Sequence, residues 1–258
     1  MAEGRPLALV TGASSGIGFE LAKLFADDGY DVVVAADDDA IHASADKLAT
    51  GGAEVRAVQV DLRKPDEVER LYRTATENGR PLEAVALNAG IGGAGPFVDR
   101  DLDDDLHIVD LNVRSTTHLA KLVLRDMAKR GSGKVLFTSS IASTMPGSLQ
   151  TVYNASKSFV QSFAEALHDE LRDTGVTITS LMPGPTDTNF FRRADMLDTL
   201  VGRIPKDDPA KVAEQGYDAL MTGERKVVAA SPLSKAMGLV NRVLPDSVKA
   251  AANRLISK

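Results

Sequence analysis

A chain of 258 residues with 43% apolar side chains can bury a full core and fits one large α/β domain, residues 1–258, with no second domain required. Its formal charge of −6 argues against nucleic acid or an anionic membrane surface as a general partner. With no cysteine it has no disulfide framework, thiolate nucleophile or cysteine metal site.

The N-terminal MAEGRPLALVTG carries one basic residue before a short apolar run, which is neither a signal peptide nor a membrane span, so a cytoplasmic protein without stable membrane insertion is expected. Leu7 to Thr11 reads as a buried strand. Gly12, Gly16 and Gly18 then turn the chain into the amphipathic segment IGFELAKLFADDG. Glycines let backbone pass close to a pyrophosphate, whose charge suits a helix start. The spacing is G-x-x-x-G-x-G, not G-x-G-x-x-G. A second strand, Asp31 to Ala36, ends in Asp37, Asp38 and Asp39. In dinucleotide folds an acid here bonds the ribose hydroxyls of NAD and repels the 2′-phosphate of NADP. Two unit charges 4 Å apart interact by about 4 kcal/mol at an effective dielectric of 20, enough to bias that choice. The same run also suits a solvated helix start for IHASADKLAT.

A third strand, Glu54 to Val60, leads into Asp61-Leu62, and Pro65 opens the next helix. The fourth, Glu83 to Leu87, precedes Asn88-Ala89-Gly90 at the strand end where a doubly wound sheet puts its ligands. A long helix then carries Asn112. The strand KVLFTSS ends at Ser140, where a hydroxyl can hold a carbonyl or alcohol oxygen. If the chain is helical from Val152, Tyr153 and Lys157 lie four apart on one face, about 5–6 Å apart at Cβ. An ammonium beside a phenol favours the phenolate and draws its pKa of about 10 towards neutrality. A sixth strand breaks at Pro183-Gly184, residues 189–208 read as a mobile substrate lid, and KVVAAS gives a seventh strand. Residues 232–258 form an amphipathic basic extension in which Pro245 separates two short helices. Alternating strands and helices predict a doubly wound parallel sheet, a Rossmann fold with helices on both faces and strand order 3-2-1-4-5-6-7.

TGASSGIG after the first strand, NAG after the fourth, and Ser140, Tyr153 and Lys157 in this order resemble the short-chain dehydrogenase/reductase family from Leu7 to Pro185. The resemblance implies that Ser140 holds the substrate oxygen, Tyr153 passes the proton, Lys157 binds the ribose and depresses the tyrosine's pKa, and Asn112 holds a relay water. It also implies that Gly12, Ser14, Ser15, Gly16, Ile17 and Gly18 surround the pyrophosphate, and that Asp37, Asp61 and Leu62 meet the adenosine. Asn88, Ala89 and Gly90 would line the cofactor site, with Pro183, Gly184, Thr186 and Thr188 at the carboxamide and phosphates. NAD is favoured, with NADP possible, because Ser15 and Asp37 stand where NADP users commonly carry a basic residue. The family's selecting acid is usually the last strand residue, however, and here that place holds Ala36.

The implied activity is hydride transfer between nicotinamide and a secondary alcohol or ketone. The alternatives are a non-catalytic dinucleotide-binding scaffold or sensor, and a lyase or epimerase using the same site. Met145, Phe190, Phe191 and Met196 favour an apolar small-molecule substrate. A homodimer or homotetramer is implied by resemblance. No metal is expected, since His42, His107, His118 and His168 are scattered without ligand spacing.

Overall fold

The computed structural model describes residues 4–194, 196, 199–203, 205–229, 248–250 and 253–254. Its strands are β1 (Leu7–Thr11), β2 (Asp31–Ala36), β3 (Val55–Gln59), β4 (Leu82–Leu87), β5 (Gly133–Thr138), β6 (Val176–Pro183) and β7 (Lys226–Ala229). All pair in parallel in one sheet of order β3-β2-β1-β4-β5-β6-β7, as the sequence predicts. The order reverses between β1 and β4, so a crevice opens there at the C-terminal strand ends.

Strand alternation assigns the two cores. On one face Leu9, Val33, Val85 and Phe137 pack against Leu71 of α3 (Pro65–Thr76), Leu119, Val123 and Met127 of α5 (Thr116–Arg130), and Val160 of α6 (Thr151–Glu170). On the other, Ala8, Val10, Ala84 and Ala86 meet α1 (Gly16–Asp27), α2 (Ala40–Leu48) and α9 (Pro209–Thr222) through Leu21, Phe25, Ile41, Tyr217 and Leu220. The small residues on this face let α1 and α9 sit close to the sheet, and the Phe25 ring lies edge-on to Tyr30 and Tyr217.

The long helix expected around Asn112 is not uniform. α4 (Leu102–Val109) passes through a π turn, Asp110–Ser115, before α5 begins. Such a turn inserts one residue into the helical ladder and commonly marks a functional site. In the expected lid, the short helices α7 (Phe190–Arg193) and α8 (Leu200–Arg203) replace a patternless loop. Of the C-terminal extension, 248–250 and 253–254 are helical, while the expected break at Pro245 and the end of KVVAAS lie outside the described residues. Among the described residues no helix is long and apolar enough to cross a membrane.

Two glycines separate close approach from conformational freedom. A Cβ on Gly18 would lie 2.2 Å from the Gly12 carbonyl oxygen and 2.5 Å from Asn88 Nδ2, whereas one on Gly29, at φ +88°, would meet nothing within 4 Å. Gly29→Ala is expected to cost only the left-handed backbone penalty of about 1 kcal/mol. Gly18→Ala should cost several times more, because backbone must move; equal denaturation midpoints for the two variants would contradict this packing.

Candidate active site

The crevice holds a cleft of about 470 Å³, within the usual range of small-molecule sites. Its wall includes Gly12, Ser14, Ser15, Gly16, Ile17, Gly18, Asp37, Asp61, Leu62, Asn88, Ala89, Gly90, Ser140, Tyr153, Lys157, Pro183, Gly184, Thr186 and Thr188. Every site residue expected from the sequence is therefore on the wall except Asn112, which stands behind it.

The glycine loop fits a phosphate by what it lacks. Gly12 and Gly16 have positive φ, of +67° and +59°, and a Cβ on Gly16 would come within 2.7 Å of Thr188 Cγ2. Ser15 makes no capping hydrogen bond and the first turn of α1 carries no acid, so its N–H groups face the cleft without an anion of their own. These are the features a dinucleotide pyrophosphate needs.

Asn88 fastens the loop to the sheet. Its Nδ2 donates to the carbonyls of Thr11 (3.1 Å) and Gly12 (3.4 Å), and its Oδ1 accepts from Thr138 Oγ1 at 3.1 Å. Thr11 Oγ1 in turn accepts from the N–H groups of Asn88 (3.0 Å) and Ala89 (3.1 Å). The Thr138 carbonyl takes a 2.9 Å hydrogen bond from Lys157 Nζ, so one network runs from the first strand to the lysine.

Asn112 is 1% exposed and its side chain is engaged. Oδ1 accepts from Ile91 N at 3.0 Å, while Nδ2 donates to Ile91 O and to Ser156 Oγ, each at 2.9 Å. A Cβ on Gly90 would touch Lys157 Nζ (3.1 Å) and Asn112 Oδ1 (3.2 Å), so lysine and asparagine flank the same bare α-carbon.

The electrostatics differ from the sequence expectation. Tyr153 is half-buried on the cleft wall, and desolvation there pushes its phenol up to about 12, an effect the Ser140 hydroxyl offsets in part. Burial lowers Lys157 to about 8. In the cofactor-free chain desolvation therefore outweighs the expected pull of the ammonium on the phenol. Lys157 points to Thr138 O instead, and Ser140 Oγ accepts from Ala142 N at 3.1 Å.

At the adenosine end, β2 closes with Ala36 buried and Asp37 exposed on the cleft rim. The carboxylate of Asp37 accepts no hydrogen bond among the described residues, whereas Asp38 accepts from Ser14 Oγ (3.0 Å) and from Arg193 of α7 (2.6 Å). Asp39 accepts from Gln59 at 2.8 Å. Asp61 is held below the usual carboxylate range by Arg63, which grips it at 2.8 and 3.0 Å. Arg63, Arg193, Gln150, Pro205 and Asn253 also line the cleft and were not signalled by any motif. Gln150 caps α6, three residues before Tyr153. Over the reacting end the ring of Phe190 lies 5.2 Å from that of Tyr153. Among the described residues no cluster of three or more His, Cys, Asp or Glu could hold a metal ion.

A family profile described as short chain dehydrogenase matches residues 6–196. The chain belongs to the short-chain dehydrogenases. It is similar to a short chain dehydrogenase of Pseudocercospora fijiensis, 33% identical over 195 residues, which are 74% of this chain but only 63% of that protein. It is 31% identical to the oxidoreductase UcpA of Salmonella typhimurium over 217 residues, covering 83% of this chain and 79% of UcpA. Among solved structures, a short-chain dehydrogenase from Sphingobium yanoikuyae in complex with NADPH superposes with a TM-score of 0.80 at 27% identity, over 93% of this chain and 96% of that one. As a member of this family the chain is an oxidoreductase of the type that binds NAD(P).

Two titrations follow from the buried pair. In the cofactor-free protein, ultraviolet difference absorbance between wild type and Tyr153→Phe should show no phenolate below about pH 11, given a phenol at about 12; a difference signal near neutrality would refute it. For Lys157 the folded value of about 8 lies below the ordinary lysine value of 10.5. The unfolded chain then binds more protons between those two pH values, so stability rises with pH across that window. Lys157→Met removes the penalty, and its stability advantage over wild type should shrink from pH 8 to 10.5, as read by denaturant midpoints.

Proposed function

We propose that the protein moves a hydride between a nicotinamide dinucleotide, preferentially NAD, and a secondary alcohol or ketone, with Tyr153 as general acid and base. The observation that carries this reading is the convergence of Ser140, Tyr153 and Lys157 on one cleft that also contains the uncapped start of α1. When bound, the dinucleotide supplies the hydride donor or acceptor. Gly12 to Gly18 hold the pyrophosphate, and Pro183 to Thr188 hold the carboxamide end. Ser140 Oγ holds the substrate oxygen, and the Tyr153 hydroxyl gives or takes its proton. Lys157, whose ammonium predominates at neutral pH even at a value of about 8, holds ribose hydroxyls and favours the phenolate by its charge. Asn112 Oδ1 has a second lone pair beyond the bond from Ile91, which suits a water shared with Lys157.

Preference for NAD rests on the charges at the end of β2. Arg63 and Arg193 are each bound to a carboxylate, while that of Asp37 accepts no hydrogen bond among the described residues. A 2′-phosphate would meet a free anion and two neutralised cations; ribose hydroxyls would find an acceptor. The NADPH in the Sphingobium yanoikuyae enzyme belongs to that protein, and the choice is testable here. Fluorescence titration should give tighter binding of NADH than of NADPH, and Asp37→Ser should narrow the ratio by about tenfold or more. Tyr153→Phe should leave NADH binding intact while lowering turnover at least about 10²-fold; retained turnover would remove Tyr153 from the chemistry.

We further propose a homo-oligomer. Leu102, Leu106 and Val109 recur on one side of α4, which packs against α6, and they remain exposed together with Phe97, Val98 and Phe159. An apolar stripe of this kind suits a second copy of the chain. Replacing Leu102 and Leu106 together by Glu should lower the assembly state in sedimentation velocity; an unchanged mass would direct attention to another face.

A further inference from the structure

Beyond Ser140 and Tyr153 the cleft is walled by apolar groups, among them Met145, Phe190, Phe191, Met196 and Pro205. Gln150 interrupts this wall. It is 8% exposed, and its Nε2 donates to Met196 Sδ at 3.1 Å. A thioether is a weak acceptor. Among the described residues the Gln150 side-chain oxygen accepts no hydrogen bond. A polar side chain so poorly partnered in an apolar wall is one that a ligand group can satisfy.

The backbone holds this side chain in place. Leu149 just before it has φ +68°, in the left-handed region that a branched residue rarely enters. Its carbonyl accepts from Gly95 N at 2.8 Å, and the Gln150 carbonyl accepts from Asn154 N at 2.9 Å at the start of α6. The buried Asn253 joins the same rim by donating from Nδ2 to Ser148 O at 2.8 Å. Strain and hydrogen bonds thus fix the backbone of Gln150, which caps α6 three residues before Tyr153.

We propose that Gln150 forms a distal polar subsite, and that the substrate is a largely apolar ketone or secondary alcohol carrying a distal hydroxyl. The hydroxyl donates to Gln150 Oε1. This deepens the oxidoreductase reading above and rests on it.

The probes are 4′-hydroxyacetophenone and 4′-methylacetophenone, similar in shape and differing in the distal hydrogen-bond donor. Reduction by NADH gives kcat/KM for each, and quenching of bound NADH fluorescence gives each Kd, in wild type and in Tyr153→Phe. Wild type is expected to prefer the hydroxyl ketone by about tenfold in both quantities. Gln150→Leu should bring the ratio to near one, while Gln150→Glu, which keeps an acceptor oxygen, should retain it. A Gln150→Leu ratio unchanged from wild type, a wild type favouring the methyl ketone, or binding of neither ketone overturns the subsite. Turnover of the methyl ketone without a hydroxyl preference overturns the subsite alone. NADH binding with hydroxyl-selective ketone binding but no reduction overturns the oxidoreductase reading and leaves the subsite standing.

Discussion

One carboxamide, that of Asn88, fixes the distance between the two halves of the site. It joins the end of β1 and the glycine loop to Thr138 at the end of β5, and Thr138 hands the connection on to Lys157. The separation of a phosphate cradle from a proton-handling group is thus set by hydrogen bonds across three neighbouring strands. The close fit of Gly18 against the Gly12 carbonyl and Asn88 allows no slack on the cradle side. An apolar residue at position 88 would take this partner from the carbonyls of Thr11 and Gly12 and from the Thr138 hydroxyl, so the constraint is local in sequence and global in effect.

The polar centre of the cleft is held at some electrostatic cost. Lys157 and Tyr153 are both driven towards their neutral forms by burial. A group destabilised in its charged form responds strongly to any new charge nearby, because little water is present to screen it. Two side chains of α7 reach into this cleft, Phe190 against Tyr153 and Arg193 on Asp38.

Much of this was legible in the sequence because it follows from short-range rules. The order of β1 to β7 came from alternating apolar runs, and the wall of the cleft from the glycine loop and strand-end residues read together with the family resemblance they carry. Tyr153 and Lys157 came from helical spacing. What periodicity could not reveal were effects of three-dimensional surroundings. The π turn at Asn112 has no residue signature in LNVRSTTHLAKL, since it reflects how the helix must meet Ile91 and Ser156. The direction of the Tyr153 shift depends on burial, which no i, i+4 spacing contains. Arg193 reaches Asp38 across 155 positions, and neither residue announces the other.

The π turn has a consequence for the outer shape as well as for the site. An α-helix advances about 100° per residue, so one inserted residue rotates everything after it by about that angle relative to everything before it. α4 can then turn Leu102, Leu106 and Val109 outward while α5, in the same continuous rod, turns Leu119, Val123 and Met127 into the core. Wound as a regular helix with no π turn, the same sequence would put these two faces out of phase with their surroundings. The rod behaves as a keyed shaft, in which the notch that seats Asn112 also sets the angle between what the molecule keeps inside and what it presents.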